Sequence, residues 1–154
     1  MNSLQILVVE DNIDDLFLIQ RILSKFKLDD IVIMENGERA LEYLYRRSRI
    51  SRKLLPGLII SDINMPLMNG VELLKIIRHI EYTRDIPVVV LSSSIQEKDM
   101  QVCRELGVIE YLRKPMTVKN IVDILLRLGH VCPPADVSQP YQTAFLKYAG
   151  VDGW

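Results

Sequence analysis

The sequence has few of the residues that build metal–thiolate, disulfide or histidine-based catalytic sites. Its 154 residues include two cysteines, Cys103 and Cys132, and two histidines, His79 and His130. None of the four has the spacing of a zinc site, and two cysteines so far apart do not form a disulfide framework. We therefore expect reduced cysteines packed as small hydrophobic residues, and no metal or catalytic role for either histidine.

The sequence also lacks an excess of charge and a long apolar run. Its net charge is −1, which gives no general electrostatic attraction to nucleic acid or to a membrane surface. No apolar run approaches the roughly 20 residues that span a bilayer. The N-terminus has no basic flank of the kind that opens a signal peptide. These absences predict a cytoplasmic protein that binds neither nucleic acid nor membranes.

The chain does contain five short apolar runs that alternate with amphipathic segments. The runs predict strands over residues 4–9, 31–35, 58–61, 86–91 and 109–112. Between and after them, apolar residues at helical spacing predict helices over 11–26, from 37, around 71–77, over 96–106 and over 117–128. Continuous apolar strands are typical of a parallel sheet that is covered on both faces. The pattern predicts an α/β fold, a doubly wound (βα)5 three-layer sandwich. By fold analogy, we expect the flavodoxin-like strand order 2-1-3-4-5.

Two regions lie outside the repeats. We expect residues 1–129 to form one domain, and residues 130–154 to be a proline- and aromatic-rich tail rather than a second domain. Tyr141, Phe145 and Tyr148 have helical spacing in this tail, which predicts that it folds against the domain or a partner. The second region is a basic cluster, which we interpret as a solvated loop in preference to a contact for an acidic partner; it comprises Arg46, Arg47, Arg49, Arg52 and Lys53.

Polar side chains stand at the ends of four predicted strands. Glu10 and Asp11 follow the first strand, Asp62 the third, Ser92 the fourth and Lys114 the fifth. Ligands of open parallel sheets bind at this edge, where the strand order reverses. Like charges 4 Å apart repel by about 4 kcal/mol at an effective dielectric constant of 20, so three carboxylates there favour a bound cation. Oxygen ligands and open positions indicate Mg²⁺.

A carboxylate in such a site can act as a nucleophile towards phosphorus. Attack by Asp62 would give an aspartyl phosphate, and Lys114 and Ser92 could bind phosphate oxygens. Each group also has a structural interpretation. Residues 10–12 and 92–94 could cap the helices that follow them, and Lys114 could be an ordinary surface lysine. The functional interpretation explains all four strand ends together, and we favour it.

The segments at these strand ends resemble those of response-regulator receiver domains of two-component signalling. The resemblance extends from about residue 4 to residue 128. The matching segments are Ile6-Leu7-Val8-Val9-Glu10-Asp11-Asn12, Asp62-Ile63-Asn64-Met65-Pro66, Asn69-Gly70, Pro87-Val88-Val89-Val90-Leu91-Ser92 and Tyr111-Leu112-Arg113-Lys114-Pro115.

The resemblance implies a role for each site residue. Asp62 would accept a phosphoryl group from a phosphohistidine on a sensor kinase, and Lys114 would pair with the phosphate. Mg²⁺ would be bound directly by Asp11, mainly through water by Glu10, and by the backbone carbonyl of Asn64.

A second set of roles concerns signalling. Ser92 takes the position of the family's switch hydroxyl, and Tyr111 that of the aromatic ring that turns inward in response. The Lys114–Pro115 bond matches the family's cis peptide.

The resemblance also implies partners. The basic connection before Pro56 is similar to that of stand-alone regulators that partner phytochrome-type sensor histidine kinases. With no DNA-binding domain expected, output would pass through a downstream protein target, a phosphotransfer protein or a homodimer. We expect such a dimer to use the face of the fourth and fifth helices, or the tail. We expect no enzymatic activity beyond self-phosphorylation and self-dephosphorylation.

Three alternatives remain open from the sequence. A receiver-like binding module that takes no phosphate is disfavoured by the intact acids and lysine. A flavodoxin would need a phosphate loop rich in Ser, Thr and Gly after the first strand, where this chain has Glu10-Asp11-Asn12. A phosphatase with an aspartyl intermediate would place its nucleophile on the first strand, with a second Asp two residues later.

Overall fold

The computed structural model describes residues 4–129 as five strands, five helices and one short 3-10 turn. The strands are β1 (Ile6–Val9), β2 (Ile31–Met34), β3 (Leu58–Asp62), β4 (Val88–Ser92) and β5 (Glu110–Arg113). The helices are α1 (Ile13–Lys25), α2 (Gly37–Ile50), α3 (Gly70–His79), α4 (Glu97–Glu105) and α5 (Val118–Arg127), and the 3-10 turn is Arg52–Leu54.

The five strands form one parallel sheet in the order β2-β1-β3-β4-β5. The predicted fold class and strand order are therefore confirmed. The order reverses between β1 and β3, which are neighbours although β2 lies between them in the chain. In their register Val9 pairs with Ser61, so the residues that follow them, Glu10 and Asp62, emerge side by side.

Alternate residues of the central strands pack into two separate cores, one on each face of the sheet. On β1, Ile6 and Val8 contact the core formed with α1 and α5, whereas Leu7 and Val9 contact the core formed with α2 and α3. Every residue of β1, β3 and β4 is buried. Apolar residues at successive positions are thus needed on both faces, which explains the continuous apolar runs in the sequence.

The ends of the elements differ from the predicted ends by one or two residues, because polar side chains and ladder bonds fix them. Helix α1 begins at Ile13 and not at residue 11, since Asn12 is its N-cap and accepts a hydrogen bond from the Asp15 N–H at 3.0 Å. Asp11 is therefore left outside the helix. Strand β3 extends one residue further than predicted, because Asp62 pairs with Leu91 of β4.

The part of the chain that the structure describes bears on several expectations from composition. Cys103 is a fully buried free thiol, in agreement with the prediction. No helix within residues 4–129 has both the length and the apolar character that a membrane crossing requires. His130, Cys132 and the predicted tail of residues 130–154 lie outside the described residues.

Candidate functional site

Three carboxylates converge where the strand order reverses. Glu10 directly follows β1, Asp11 stands next to it, and Asp62 ends β3; oxygens of the three lie within 4.8 Å of one another. Glu10 is fully buried and Asp62 is 4% exposed, whereas Asp11 is exposed. The cluster is thus closed on the protein side and open to solvent through Asp11.

Two groups hold the carboxylate of Asp62 through the same oxygen. The backbone N–H of Asn64 donates to Oδ1 at 3.2 Å, and Nζ of Lys114 lies 3.2 Å from that oxygen. Neither contact involves the second oxygen, Oδ2. This arrangement orients the carboxylate and leaves one of its oxygens for a new bond.

Lys114 connects the acids at this edge of the sheet. It follows β5, where its N–H donates to the carbonyl of Ser92 at 2.8 Å. Its ammonium donates to Glu10 Oε2 at 3.0 Å and to Asp15 Oδ2 at 2.8 Å, in addition to the contact with Asp62. Burial alone would lower the pKa of Lys114. The hydrogen bonds to Asp15 and Glu10 and the charge of Asp62 outweigh burial, so the pKa lies above its usual value.

Glu10 has a strongly raised pKa. Burial favours its neutral form and, with the nearby charge of Asp62, raises the pKa to about 7 against the opposing hydrogen bond from Lys114. Glu10 Oε1 also accepts a hydrogen bond from the Asn12 N–H at 3.1 Å. Metal binding requires the ionised carboxylate, so a cation bound at Glu10 would replace the proton and compensate the buried negative charge.

Ser92 and Tyr111 lie on neighbouring strands near the acids. Ser92 ends β4 and is buried, and its hydroxyl donates to the carbonyl of Ser94 and accepts from the Ser94 N–H at 3.3 Å. Tyr111 of β5 packs its ring against the core that contains Cys103. Burial raises the pKa of Tyr111, and its hydroxyl has no hydrogen-bond partner among residues 4–129.

The structural interpretations of the same residues hold only in part. Asn12 does cap α1, while Glu10 and Asp11 remain available for other contacts. The helix-cap interpretation of Ser92-Ser93-Ser94 is wrong, because the N-cap of α4 is Gln96, which makes no side-chain cap bond.

The basic cluster is largely exposed, as predicted, but it is not a loop: Arg46, Arg47 and Arg49 lie in α2, and Arg52 and Lys53 lie in the 3-10 turn. Arg46 pairs with Glu42 and Arg52 with Glu81 on exposed positions. Arg47 instead donates from Nε to the carbonyl of Leu54 at 3.0 Å.

Sequence reasoning missed one residue of the site, Asp15. It lies on the first turn of α1, four residues after Asp11, and accepts the shortest of the three Lys114 contacts. Its spacing from Asp11 is one helical turn, a signal that could have identified it. The contact itself joins residues 99 positions apart and depends on the fold.

The donor set fits a hard divalent cation. It consists of carboxylate oxygens alone, two of its three residues are buried, and Lys114 supplies a single positive charge to them. All-oxygen sites of this kind suit Mg²⁺, which retains water at its open positions. Glu10, Asp11 and Asp62 are the residues that would hold it.

Comparison with known proteins identifies the family. The model of the response regulator receiver domain matches residues 6–126. The chain belongs to the response-regulator receiver family. It is 34% identical over 124 residues to the two-component response regulator ARR17 of Arabidopsis thaliana, covering 77% of this chain and 80% of that protein. It is also 34% identical over 117 residues to response regulator Rcp1 of Synechocystis, covering 75% and 80%.

Solved receiver structures agree with the fold and include regulators of phytochromes. The bacteriophytochrome response regulator AtBRR superposes with a TM-score of 0.72 at 30% identity, over 89% of this chain and all of that one. The phosphorylated cyanobacterial phytochrome response regulator RcpA gives 0.66 at 28% identity, over 98% and 92%. The Mn²⁺-bound form of Rcp1 gives 0.64 at 30% identity, over 86% and 96%. Membership of this family decides against the flavodoxin and phosphatase alternatives.

Proposed function

We propose that this receiver domain takes a phosphoryl group from a phosphohistidine of a sensor histidine kinase onto Asp62, and that it acts in the cytoplasm. One observation carries the proposal: Asp62 is buried beside a lysine and two further acids, with only one of its oxygens held by Asn64 and Lys114. An aspartate that served only to solvate the surface would be exposed and not buried beside a lysine and two further acids. The phosphorylated RcpA structure, a receiver of similar fold, gives independent support.

The chemistry is an in-line transfer to a carboxylate oxygen. Oδ2 of Asp62 attacks phosphorus, a P–O bond forms, and the P–N bond to the donor imidazole breaks with its electron pair leaving on nitrogen. The product is an acyl phosphate. Lys114 stands 3.2 Å from Asp62 and can neutralise an oxygen of the arriving group. Hydrolysis of the acyl phosphate restores the carboxylate, and we propose no reaction on any other substrate.

A bound Mg²⁺ would neutralise charge on the phosphoryl oxygens during the transfer. We assign its binding to Glu10, Asp11, Asp62 and the backbone carbonyl of Asn64. The protein contribution is to hold these oxygens together before the donor arrives. The Mn²⁺-bound structure of Rcp1, a similar response regulator, supports the binding of a divalent metal by a protein of this kind.

We further propose that Ser92 and Tyr111 transmit the phosphorylation state. The Ser92 hydroxyl now contacts Ser94, and a phosphoryl oxygen would be a stronger, charged acceptor. The Tyr111 hydroxyl makes no hydrogen bond in the described part of the chain, but Ser92 and the Gln96 backbone lie near enough to oppose the rise in its pKa that burial causes, so a movement of Ser92 would change the surroundings of the ring. We expect Ser92→Ala still to accept a phosphoryl group but to lose the phosphorylation-dependent change in the NMR signals of the Tyr111 ring, which are assigned by comparison with Tyr111→Phe. Retention of that change would contradict the switch.

The proposed input is a phytochrome-type sensor histidine kinase, because the similar proteins include regulators of phytochromes. The proposed output is a protein surface formed by α4, β5 and α5, since Ser92 and Tyr111 border it. That surface would bind a downstream target, a phosphotransfer protein or a second copy of the chain. Any contribution of the tail lies outside the described residues.

The experiment is phosphorylation by acetyl phosphate with Mg²⁺, followed by intact-protein mass spectrometry. We expect a mass gain of one phosphoryl group that Asp62→Asn abolishes and chelation of the metal prevents. Asp29→Asn, a change of the same kind at an exposed site, should leave the gain intact. If the wild-type protein gains no phosphoryl group, the chain is instead a receiver-like binding module.

A further inference from the structure

Asp15 is the one carboxylate on Lys114 that does not belong to the candidate metal cluster. Its Oδ2 lies 2.8 Å from Lys114 Nζ, closer than the oxygens of Glu10 at 3.0 Å and Asp62 at 3.2 Å. The cluster that could hold a metal contains Glu10, Asp11 and Asp62. Asp15 therefore contacts the site through the lysine and is not a candidate ligand of the cation.

An ammonium group has three N–H donors, and Lys114 has three carboxylate partners. A phosphoryl group on Asp62 needs a donor from the same nitrogen. A metal on Glu10 and Asp62 would weaken the hold of those two residues on the lysine, because their oxygens would share their charge with the cation. The contact with Asp15 would be unaffected, so Asp15 is the partner that still restrains Lys114 when a phosphoryl group is present.

The negative charge of Asp15 acts in the same direction. The oxygens of Asp15 and Asp62 contact one nitrogen, which places them within about 6 Å of each other, a range at which like charges repel appreciably near a protein surface. The Asp15 side chain is 31% exposed, so solvent reduces this repulsion without removing it. The contact of Asp15 with Lys114 and the repulsion by its negative charge therefore both disfavour an additional anion at Asp62.

We propose that Asp15 is a positioning residue that shares the ammonium of Lys114 and thereby weakens the affinity of the site for a phosphoryl group. This inference rests on the proposed function, in which Asp62 is the acceptor. Asp15 would then limit how strongly the site stabilises the phosphorylated state.

The chain offers closely matched variants. Asp15→Asn retains the size of the side chain and an acceptor oxygen for Lys114, and removes only the charge. Asp15→Glu retains the charge and can still reach the lysine. Asp14→Asn is the control, because Asp14 is exposed on the same turn of α1 and shares the acidic first turn with Asp15.

The test measures binding of beryllofluoride, a non-covalent analogue of the phosphoryl group, to Mg²⁺-saturated full-length protein by calorimetry. We expect Asp15→Asn to bind it about fivefold more tightly than wild type, with Asp15→Glu and Asp14→Asn close to wild type. In a separate titration without fluoride, Asp15→Asn should bind Mg²⁺ about twofold more weakly, because a negative charge has been removed. Both differences should shrink in 1 M salt.

Opposite changes for the anion and the cation distinguish an electrostatic role from a structural one. If Asp15→Asn binds both ligands more weakly, or binds beryllofluoride no better than wild type, the assignment is wrong. If wild type does not bind beryllofluoride, or Asp62→Asn binds it equally well, the proposed function fails and the assignment falls with it. A result in which Asp62 is required but Asp15→Asn has no effect overturns the assignment alone.

Discussion

Gly70, the first residue of α3, allows that helix to approach the strand end that carries Asp62. A Cβ at position 70 would lie 2.4 Å from the carbonyl oxygen of Asp62 and 2.7 Å from Cα of Ile63. Both are backbone atoms, which cannot rotate away as the end of a flexible side chain can. We expect Gly70→Ala to lower the free energy of unfolding by about 2–3 kcal/mol and to slow phosphorylation by acetyl phosphate, since Asp62 must shift. Urea unfolding and mass spectrometry measure the two effects.

Gly37 provides the control for this prediction. Like Gly70 it opens a helix behind an asparagine N-cap, but its nearest contact would be Sδ of Met68 at 2.7 Å, on a flexible side chain that can move. Gly37→Ala should therefore change the free energy of unfolding by less than about 1 kcal/mol and leave phosphorylation unchanged. Equal effects of the two substitutions would show that backbone approach at Gly70 is not the cause.

Glu10 should make the metal-free protein less stable as the pH rises. Its pKa is raised from 4.5 to about 7, so the folded state binds a proton that the unfolded state has lost between these values. The associated stability is complete below pH 4.5 and disappears as the pH passes 7. We expect a loss of about 2–3 kcal/mol over this interval, measured by urea unfolding in EDTA, and a smaller pH dependence in Glu10→Gln.

Mg²⁺ should reverse this dependence. The cation binds the ionised form of Glu10, so its affinity should rise with pH up to about 7 and then level off. Calorimetric titrations at several pH values measure the effect. A Mg²⁺ affinity independent of pH between 5 and 8 would mean that Glu10 takes no part in binding the cation.

Single residues of the site could be predicted where they follow a strand, and could not where they depend on a long-range contact. Glu10, Asp62 and Lys114 each end an apolar run, and parallel strands present their ends at one edge. Asp15 belongs to a helix, and its contact with Lys114 depends on how α1 packs against the sheet. No local pattern specifies that packing.

Among the elements, α3 and α4 are joined by Arg78, a half-buried arginine near the end of α3. Its Nε donates to the carbonyl of Leu106 at 2.7 Å, and Nη1 donates to those of Arg84 at 2.9 Å and Ile86 at 2.7 Å. Nη2 donates to Gly107 at 3.3 Å. One side chain thus holds the segment before β4 and the turn after α4. Burial lowers the pKa of Arg78, and the nearby charge of Asp85 opposes this effect.

We expect Arg78→Lys to lower the free energy of unfolding by about 2 kcal/mol. A lysine has a single nitrogen and cannot reach carbonyls on both sides, so the part-buried carbonyls of Leu106 and Ile86 could not both keep a donor. Urea unfolding is the measurement, and Arg84→Lys is the control because that side chain is exposed. If Arg78→Lys and Arg84→Lys had the same free energy of unfolding, the stabilising role of the Arg78 hydrogen bonds would be refuted.

The existence and type of every strand and α-helix in residues 4–129 followed from the apolar pattern, whereas their ends and the 3-10 turn Arg52–Leu54 did not. Buried strands need apolar residues on both faces, and this requirement is visible in sequence. The ends are set by individual hydrogen bonds. Asp62 belongs to β3 because it pairs with Leu91, and α1 starts late because Asn12 caps it.

At the scale of the whole molecule, the strand order places the site. Strands β1 and β3 are adjacent, and their crossover brings residues 10, 11 and 62 to the same edge. The repeat pattern predicted the sheet, but its order required analogy with known folds, because the apolar strands β1, β3 and β4 resemble one another and nothing in their sequences says which are neighbours. The sequence alone could not say which strands are neighbours.

Three large exposed apolar side chains lie on α1 and on the loop that follows Asp62. Ile13 is 81% exposed and stands two residues after Asp11, Phe17 is 62% exposed one helical turn further on α1, and Leu67 is 87% exposed in the loop after Asp62. Residues four apart share one helix face. Large exposed apolar side chains that are near a polar site in sequence favour a protein-binding surface. We infer that the phosphodonor is a protein that docks on this surface.

The Phe17→Ser variant distinguishes docking of the phosphodonor protein from the phosphorylation reaction itself. Its side chain is mostly exposed and has no group that could bind the metal or the phosphoryl group, so phosphorylation by acetyl phosphate should be unchanged. Phosphotransfer from a phytochrome-type histidine kinase should slow by about tenfold, because truncating an aromatic anchor at an interface costs more than about 1 kcal/mol. Tyr45→Ser, at an aromatic 53% exposed on α2, should leave both rates unchanged. Equal slowing with both donors would place the effect in the site, and equal rates with the kinase would exclude Phe17 from the docking surface.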